Sequence, residues 1–241
     1  MGNPILILHG WGSLMSGEKR FEVVKALLEK EGYTVFTPDL PGFGKNALVK
    51  EELVFEDYIA FVEEFIKEKK LEKTILLGHS FGGRIAIAFT AKHPKLVSKL
   101  ILVSASGIPR KLSIKKMVAQ KMAKIGKVVL SLPGLKVLYE PFRGILYRVI
   151  GEMDYYKARD LAKTFKNVYR VNVIEDLPKI HVPTLIVWGE DDAFTPLADG
   201  KLMHEKIKNS RLITVKDEGH KFPYASPQKF VRKVLPFIVH I

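Results

Sequence analysis

Six short apolar runs punctuate the chain: Ile5–Leu8, Tyr33–Thr37, Thr74–Leu77, Leu100–Val103, Thr184–Trp188 and Leu212–Val215. Each is continuous rather than alternating, the pattern of strands buried on both faces of a parallel sheet. Between the early runs the apolar period lengthens. Glu18 to Lys30 gathers Phe21, Val24, Ala26, Leu27 and Leu28 broadly on one side. Phe55 to Lys69 repeats Tyr58, Ile59, Phe61, Val62, Phe65 and Ile66 at helical spacing. Gly32 stands where the first of these helices should stop. Strand and helix in alternation predict an α/β fold, a doubly wound and mostly parallel sheet of about six strands.

The alternation ceases after the fourth run. Ser113 to Leu132 reads as an amphipathic helix with Ile114, Met117, Val118, Met122, Ile125, Val129 and Leu132 inward, broken by Pro133-Gly134. Tyr139 to Ile150 and Tyr155 to Tyr169 read as further helices, and strands resume only beyond Asp176. The expected organisation is a core domain of residues 1–106 and 177–241, with residues 107–176 inserted as an α-helical cap. Such a cap would lie over the carboxyl ends of the strands, where open α/β sheets bind ligands. Met117 and Met122, on its inner face, are candidate pocket residues.

Composition narrows the classes. Of 241 residues, 47% are hydrophobic, ample for one such core. No apolar run reaches the ~18 residues that suggest a membrane span. Ile5–Leu8 is too short for the core of a signal peptide and lacks a basic leader, so a cytoplasmic protein is expected. With no cysteine, disulfides, thiol catalysis and thiolate metal sites are excluded. The seven histidines are scattered and form no H-E-x-x-H, so neither a metal nor a cofactor is expected. The net charge of +13 is uneven: residues 107 to 170 hold fifteen Lys/Arg against four Asp/Glu. A solvated face accounts for such a cap, as does a docking surface for an acidic protein or an anionic membrane. No motif for nucleic acid accompanies the charge.

The chemistry concentrates at Gly78-His79-Ser80-Phe81-Gly82, between the third strand-like run and the helix-like Gly83 to Phe89. A G-x-S-x-G between strand and helix is a nucleophile elbow, a tight turn that presents the serine hydroxyl. Ser80 then needs a base, and His220 follows the last strand-like run in Asp217-Glu218-Gly219-His220. The imidazole needs an acid to fix its tautomer. Asp191 and Asp192 both stand at the end of the fifth run. An oxyanion would need donors. The backbone N–H of Phe81 is one candidate, and that of Trp11, in His9-Gly10-Trp11-Gly12 after the first strand, is the other. Phe222, just past His220, is a further pocket candidate, as is the Trp11 ring.

Taken together these motifs resemble the α/β-hydrolase superfamily over nearly the whole chain. The matching segments are His9-Gly10-Trp11-Gly12, Asp39-Leu40-Pro41-Gly42-Phe43-Gly44, the elbow, Val182-Pro183-Thr184-Leu185 leading into Gly189-Glu190-Asp191-Asp192, and Glu218-Gly219-His220. The chain order Ser, Asp, His is that of this family. The family spacing G-x-x-D, with Pro196 four residues later, favours Asp192 over Asp191 as the acid. Two departures stand out. The antiparallel strand pair that opens many members is missing, which leaves Tyr33–Thr37 as a sheet edge. Lys45 and Asn46 stand where the family often places Ser or Thr.

The fold hosts many reactions. Serine at position 80, rather than aspartate, implies acyl chemistry and not the alkyl-ester intermediates of haloalkane dehalogenases and epoxide hydrolases. The resemblance implies a serine esterase acting on small to medium acyl esters, as monomer or homodimer. Its alternatives are a C–C bond hydrolase of diketone-like substrates, a perhydrolase or haloperoxidase-like enzyme, and a slow-turnover ligand receptor. Cap and first loop look like those of pimeloyl-carrier-protein methyl esterases, which dock an acidic acyl carrier.

Overall fold

The computed structural model describes residues 3–12, 17–46, 52–109 and 161–239. Six parallel strands form one sheet: β1 (Ile5–Leu8), β2 (Val35–Phe36), β3 (Thr74–His79), β4 (Val97–Val103), β5 (Thr184–Gly189) and β6 (Ser210–Val215), in the order β2-β1-β3-β4-β5-β6. Seven helices are described with them: α1 (Gly17–Lys30), α2 (Phe55–Glu68), α3 (Phe81–Lys92), α4 (Ala162–Tyr169), α5 (Leu197–Lys206), α6 (Phe222–Ala225) and α7 (Pro227–Val239).

Both faces of the inner strands are dry, as the continuous apolar runs require. Leu6, Leu8, Leu76, Leu102, Ile186 and Trp188 point to one face, against α2, α3 and Met203 of α5. Ile5, Ile7, Ile75, Leu77, Ile101, Val103 and Val187 point to the other, against Phe21, Val24 and Leu28 of α1 and Phe230, Val234 and Ile238 of α7. The strand period of two deals alternate residues to the two cores.

The strand edge is narrower than Tyr33–Thr37. Tyr33 uses its N–H to close α1, donating to Leu28 O at 3.3 Å, and Gly32 ends that helix at φ +85°. Only Val35 and Phe36 remain to pair with Ile5 and Leu6. β4 begins three residues earlier than Leu100, at Val97. The helix expected over Tyr155 to Tyr169 is seen as α4 from Ala162. The other cap helices, with Met117, Met122 and the lysines around them, lie outside the described residues. Among the described residues, no helix is long and apolar enough to cross a membrane.

Candidate active site

The elbow forms because two glycines let backbone and helix touch. A Cβ on Gly78 would sit 2.5 Å from Gly82 O and 2.6 Å from Gly83 Cα, and one on Gly82 would meet Leu8 O at 2.1 Å. Between them Ser80 adopts φ +53°, ψ −114°, a conformation that costs about 1–3 kcal/mol and persists only when its surroundings hold it. They do hold it. Ser80 N–H donates to Val103 O at 3.0 Å, and Ser80 O accepts the amides of Gly83, Arg84 and Ser106 at 3.0, 3.2 and 2.9 Å.

At the turn, the Ser80 hydroxyl donates to His220 Nε2 at 3.0 Å, across 140 residues of chain. His220 Nδ1–H donates to Asp192 Oδ2 at 2.9 Å. Of the two carboxylates after β5, Asp192 is buried and reaches the imidazole, while Asp191 is exposed. The two loops meet because Gly189 lets them: a Cβ there would lie 2.2 Å from Glu218 O.

Thr195 completes this arrangement, and sequence reasoning missed it. Its N–H and that of Phe194 donate to Asp192 Oδ1 at 2.8 and 2.9 Å, and its hydroxyl donates to Asp192 Oδ2 at 2.9 Å. The same hydroxyl oxygen lies 3.2 Å from His220 Nδ1. Burial works to raise the Asp192 carboxyl, but the hydrogen bond and charge of His220 and the Thr195 amide outweigh it and hold the group down at about 2. The carboxylate is therefore ionised throughout the neutral range.

His79 lies under the elbow. Its Nε2–H donates to the backbone carbonyl of His220 at 2.9 Å, and the two rings are 4.9 Å apart. Complete burial, with His220 beside it, pushes its pKa down to about 3, so the ring is neutral. His9 is neutral for the same first reason: burial lowers it to about 4. Its Nδ1–H donates to Gly10 O at 2.9 Å and its Nε2 accepts Leu40 N–H at 3.0 Å.

The loop after β1 passes close to Ser80. A Cβ on Gly10 would lie 3.0 Å from Ser80 Cβ. Among the described residues, no backbone bond engages the N–H of Trp11 or of Phe81, which opens α3. The Trp11 ring is half-buried and meets Phe43, Phe81 and Phe165 edge-on at 5.0 to 5.3 Å. Asp39 ties the neighbouring loop: its Oδ1 accepts Gly17 N–H at 2.6 Å and its Oδ2 accepts Lys45 N–H at 2.8 Å. Asn46 Nδ2 donates to Asp39 O at 2.6 Å, so Lys45 and Asn46 close this turn despite departing from the family pattern.

Phe222 corrects the sequence expectation. It is 1% exposed and packs against Phe230 at 5.7 Å, in the core on the α7 side of the sheet. The chain turns back at Gly219–His220, so a residue two positions past the imidazole points under the sheet, away from the hydroxyl of Ser80. Phe194 stands beside the imidazole instead, ring centroids 5.2 Å apart. Among the described residues, no three His, Asp or Glu side chains gather to hold a metal ion.

The alpha/beta hydrolase fold family model matches residues 3–125. A second model, described as TAP-like protein, matches residues 158–236. The chain belongs to the alpha/beta hydrolase superfamily. Hydrolysis is the class of chemistry that this family and its relatives support. A lipase of Psychrobacter immobilis is 26% identical over 91% of this chain and 71% of its own length. A 2-hydroxy-6-oxononadienedioate/2-hydroxy-6-oxononatrienedioate hydrolase of Pseudomonas putida is 27% identical over 98% and 88%. Among solved structures, an esterase of Exiguobacterium antarcticum superposes with a TM-score of 0.76 at 24% identity, covering all of this chain and 94% of that one, and so shares the fold.

Proposed function

We propose that this protein is a serine hydrolase that cleaves carboxylic esters of small to medium acyl chains through an acyl-enzyme on Ser80. The observation that carries the reading is the relay from Ser80 Oγ to His220 Nε2 at 3.0 Å and from His220 Nδ1 to Asp192 at 2.9 Å, with Ser80 held at positive φ. Ser80 Oγ attacks the ester carbonyl carbon as His220 Nε2 takes its proton. Asp192, ionised, keeps the imidazole in the Nδ1–H tautomer and stabilises the imidazolium. The carbonyl oxygen becomes an oxyanion between the N–H groups of Trp11 and Phe81. Collapse breaks the C–O bond, and His220 hands its proton to the departing alcohol. A water then repeats the sequence in reverse, with His220 as base, and frees the acid.

The Pseudomonas relative favours a second reading, hydrolysis of a C–C bond next to a ketone, for which the same three side chains would serve. One experiment separates the two: a panel of p-nitrophenyl esters of increasing acyl length beside a vinylogous 1,5-diketone acid. Ester turnover that collapses by ~10⁴-fold in Ser80→Ala is expected, with a fluorophosphonate labelling Ser80 in the parent. Labelling at another serine, or diketone cleavage without ester cleavage, defeats the ester reading.

A further inference from the structure

Arg20 lies on α1, away from the elbow in sequence, and its guanidinium reaches the first loop. Nη1 donates to Gly10 O at 2.9 Å and Nη2 donates to Gly12 O. These two carbonyls flank Trp11. The loop is thus held from below by a planar two-pronged cation, a geometry that Arg offers and Lys does not.

The Gly10 carbonyl and the Trp11 N–H belong to one peptide group. That group is trans and planar, so its C=O and N–H point in opposite directions. Whatever fixes the carbonyl also aims the N–H. Two donors converge on Gly10 O: Arg20 Nη1 and the Nδ1–H of His9, at 2.9 Å each. Both draw electron density toward that oxygen, and a polarised amide is a stronger donor at its other end. Gly10 itself lies against the elbow, where a side chain on it would crowd Ser80 Cβ at 3.0 Å. The guanidinium sits within range of both buried imidazoles, and its charge opposes protonation of His9 and His79.

We infer that Arg20 is a positioning residue for the oxyanion site: it locks and polarises the Gly10–Trp11 peptide so that the Trp11 N–H meets the developing negative charge above Ser80. The inference rests on the ester-hydrolase reading. It adds that α1, an element bearing none of the relay residues, sets the strength of transition-state binding.

The test uses the rate at which a fluorophosphonate labels Ser80, since phosphonylation places an oxygen in the same site and needs no knowledge of the natural substrate. Parent, Arg20→Lys, Arg20→Gln, Arg20→Met and Arg20→Ala are compared well below their melting temperatures, with circular dichroism as the check of folding. For Arg20→Met, labelling rate and kcat on a short p-nitrophenyl ester should fall together by about 10²-fold, the range seen when one oxyanion donor is lost, with KM nearly unchanged. Arg20→Lys and Arg20→Gln, each able to hold one carbonyl, should fall less. Low-millimolar guanidinium should restore part of the loss in Arg20→Ala. A folded Arg20→Met that labels as fast as the parent overturns the inference and leaves the ester reading standing. If Arg20→Met does not fold, parental rates in folded Arg20→Lys and Arg20→Gln overturn it equally. A loss carried by KM with kcat intact overturns it too, because that is a substrate contact. A parent unlabelled at Ser80 ends both.

Discussion

Thr195 touches both other partners of the relay beyond the nucleophile. Its hydroxyl donates to Asp192 Oδ2 beside the Nδ1–H of His220. Replacing it by Val keeps the shape and leaves the backbone N–H to Oδ1 in place. We expect Thr195→Val to lose roughly tenfold in kcat, about the worth of one hydrogen bond to a charged group, with Thr195→Ser close to the parent. Asp192→Asn should lose far more, up to ~10⁴-fold, because the amide favours the wrong imidazole tautomer. Asp191→Asn should stay near the parent in the same assay, since Asp191 is exposed. The meeting of Ser80, Asp192 and His220 was legible because each lies in a short string typical of the family. Thr195, Arg20 and the His79 contact to His220 were not. Their roles are distances across chain separations as long as 141 residues, and threonine or arginine at those places is unremarkable in composition.

Elements were legible to the extent that periodicity reports burial. The six strands lie where the continuous apolar runs stood, because the inner strands β1, β3, β4 and β5 are covered on both faces. β2 is shorter than its run, because Tyr33 spends its N–H on α1. Apolar character and nearness to His220 make Phe222 a pocket candidate in the sequence, but they carry no information about which way a loop turns. The two glycines in the elbow and at the end of α1 make a contrast that hydropathy cannot express. Gly82→Ala should abolish both labelling of Ser80 and cooperative folding, since its Cβ would lie 2.1 Å from Leu8 O in the core of the sheet. Gly32→Ala meets nothing within 4 Å, but its φ is +85°, so a cost of about 1 kcal/mol and full activity are expected. Urea melts with an ester assay on both variants would check this.

At the scale of the molecule, the described residues include two buried neutral imidazoles, His9 and His79, held at about 4 and about 3 against an ordinary 6.5. A depressed histidine pKa means that the unfolded chain binds the proton first as pH falls. The stability linked to it is complete above pH 6.5 and is lost as pH drops toward the folded value. Each group contributes a slope of about 1.4 kcal/mol per pH unit within its window, so between pH 6 and 4 the two act together. Asp192, held near 2 against 3.8, adds to the loss only below pH 4. Thermal melts should therefore show the melting temperature falling steeply from pH 6 downward. Denaturant melts over the same range should give proton uptake on unfolding approaching two or more. A flat profile from pH 7 to 5 would mean that these imidazoles are not buried as described.

The strand order has one more consequence. Ser80, Trp11 and Phe81 all belong to the segment that builds β1 to β4, whereas Asp192 and His220 belong to the segment that builds β5 and β6. The seam between the two includes the β4–β5 ladder from Leu100–Thr184 to Val103–Val187 and the packing of α1 on α7. A chain divided anywhere between residues 109 and 161 would yield one half with Ser80 and no His220, and another with His220 and no Ser80. Turnover recovered on mixing the halves would therefore report docking along that seam, which makes this scaffold a natural candidate for fragment complementation.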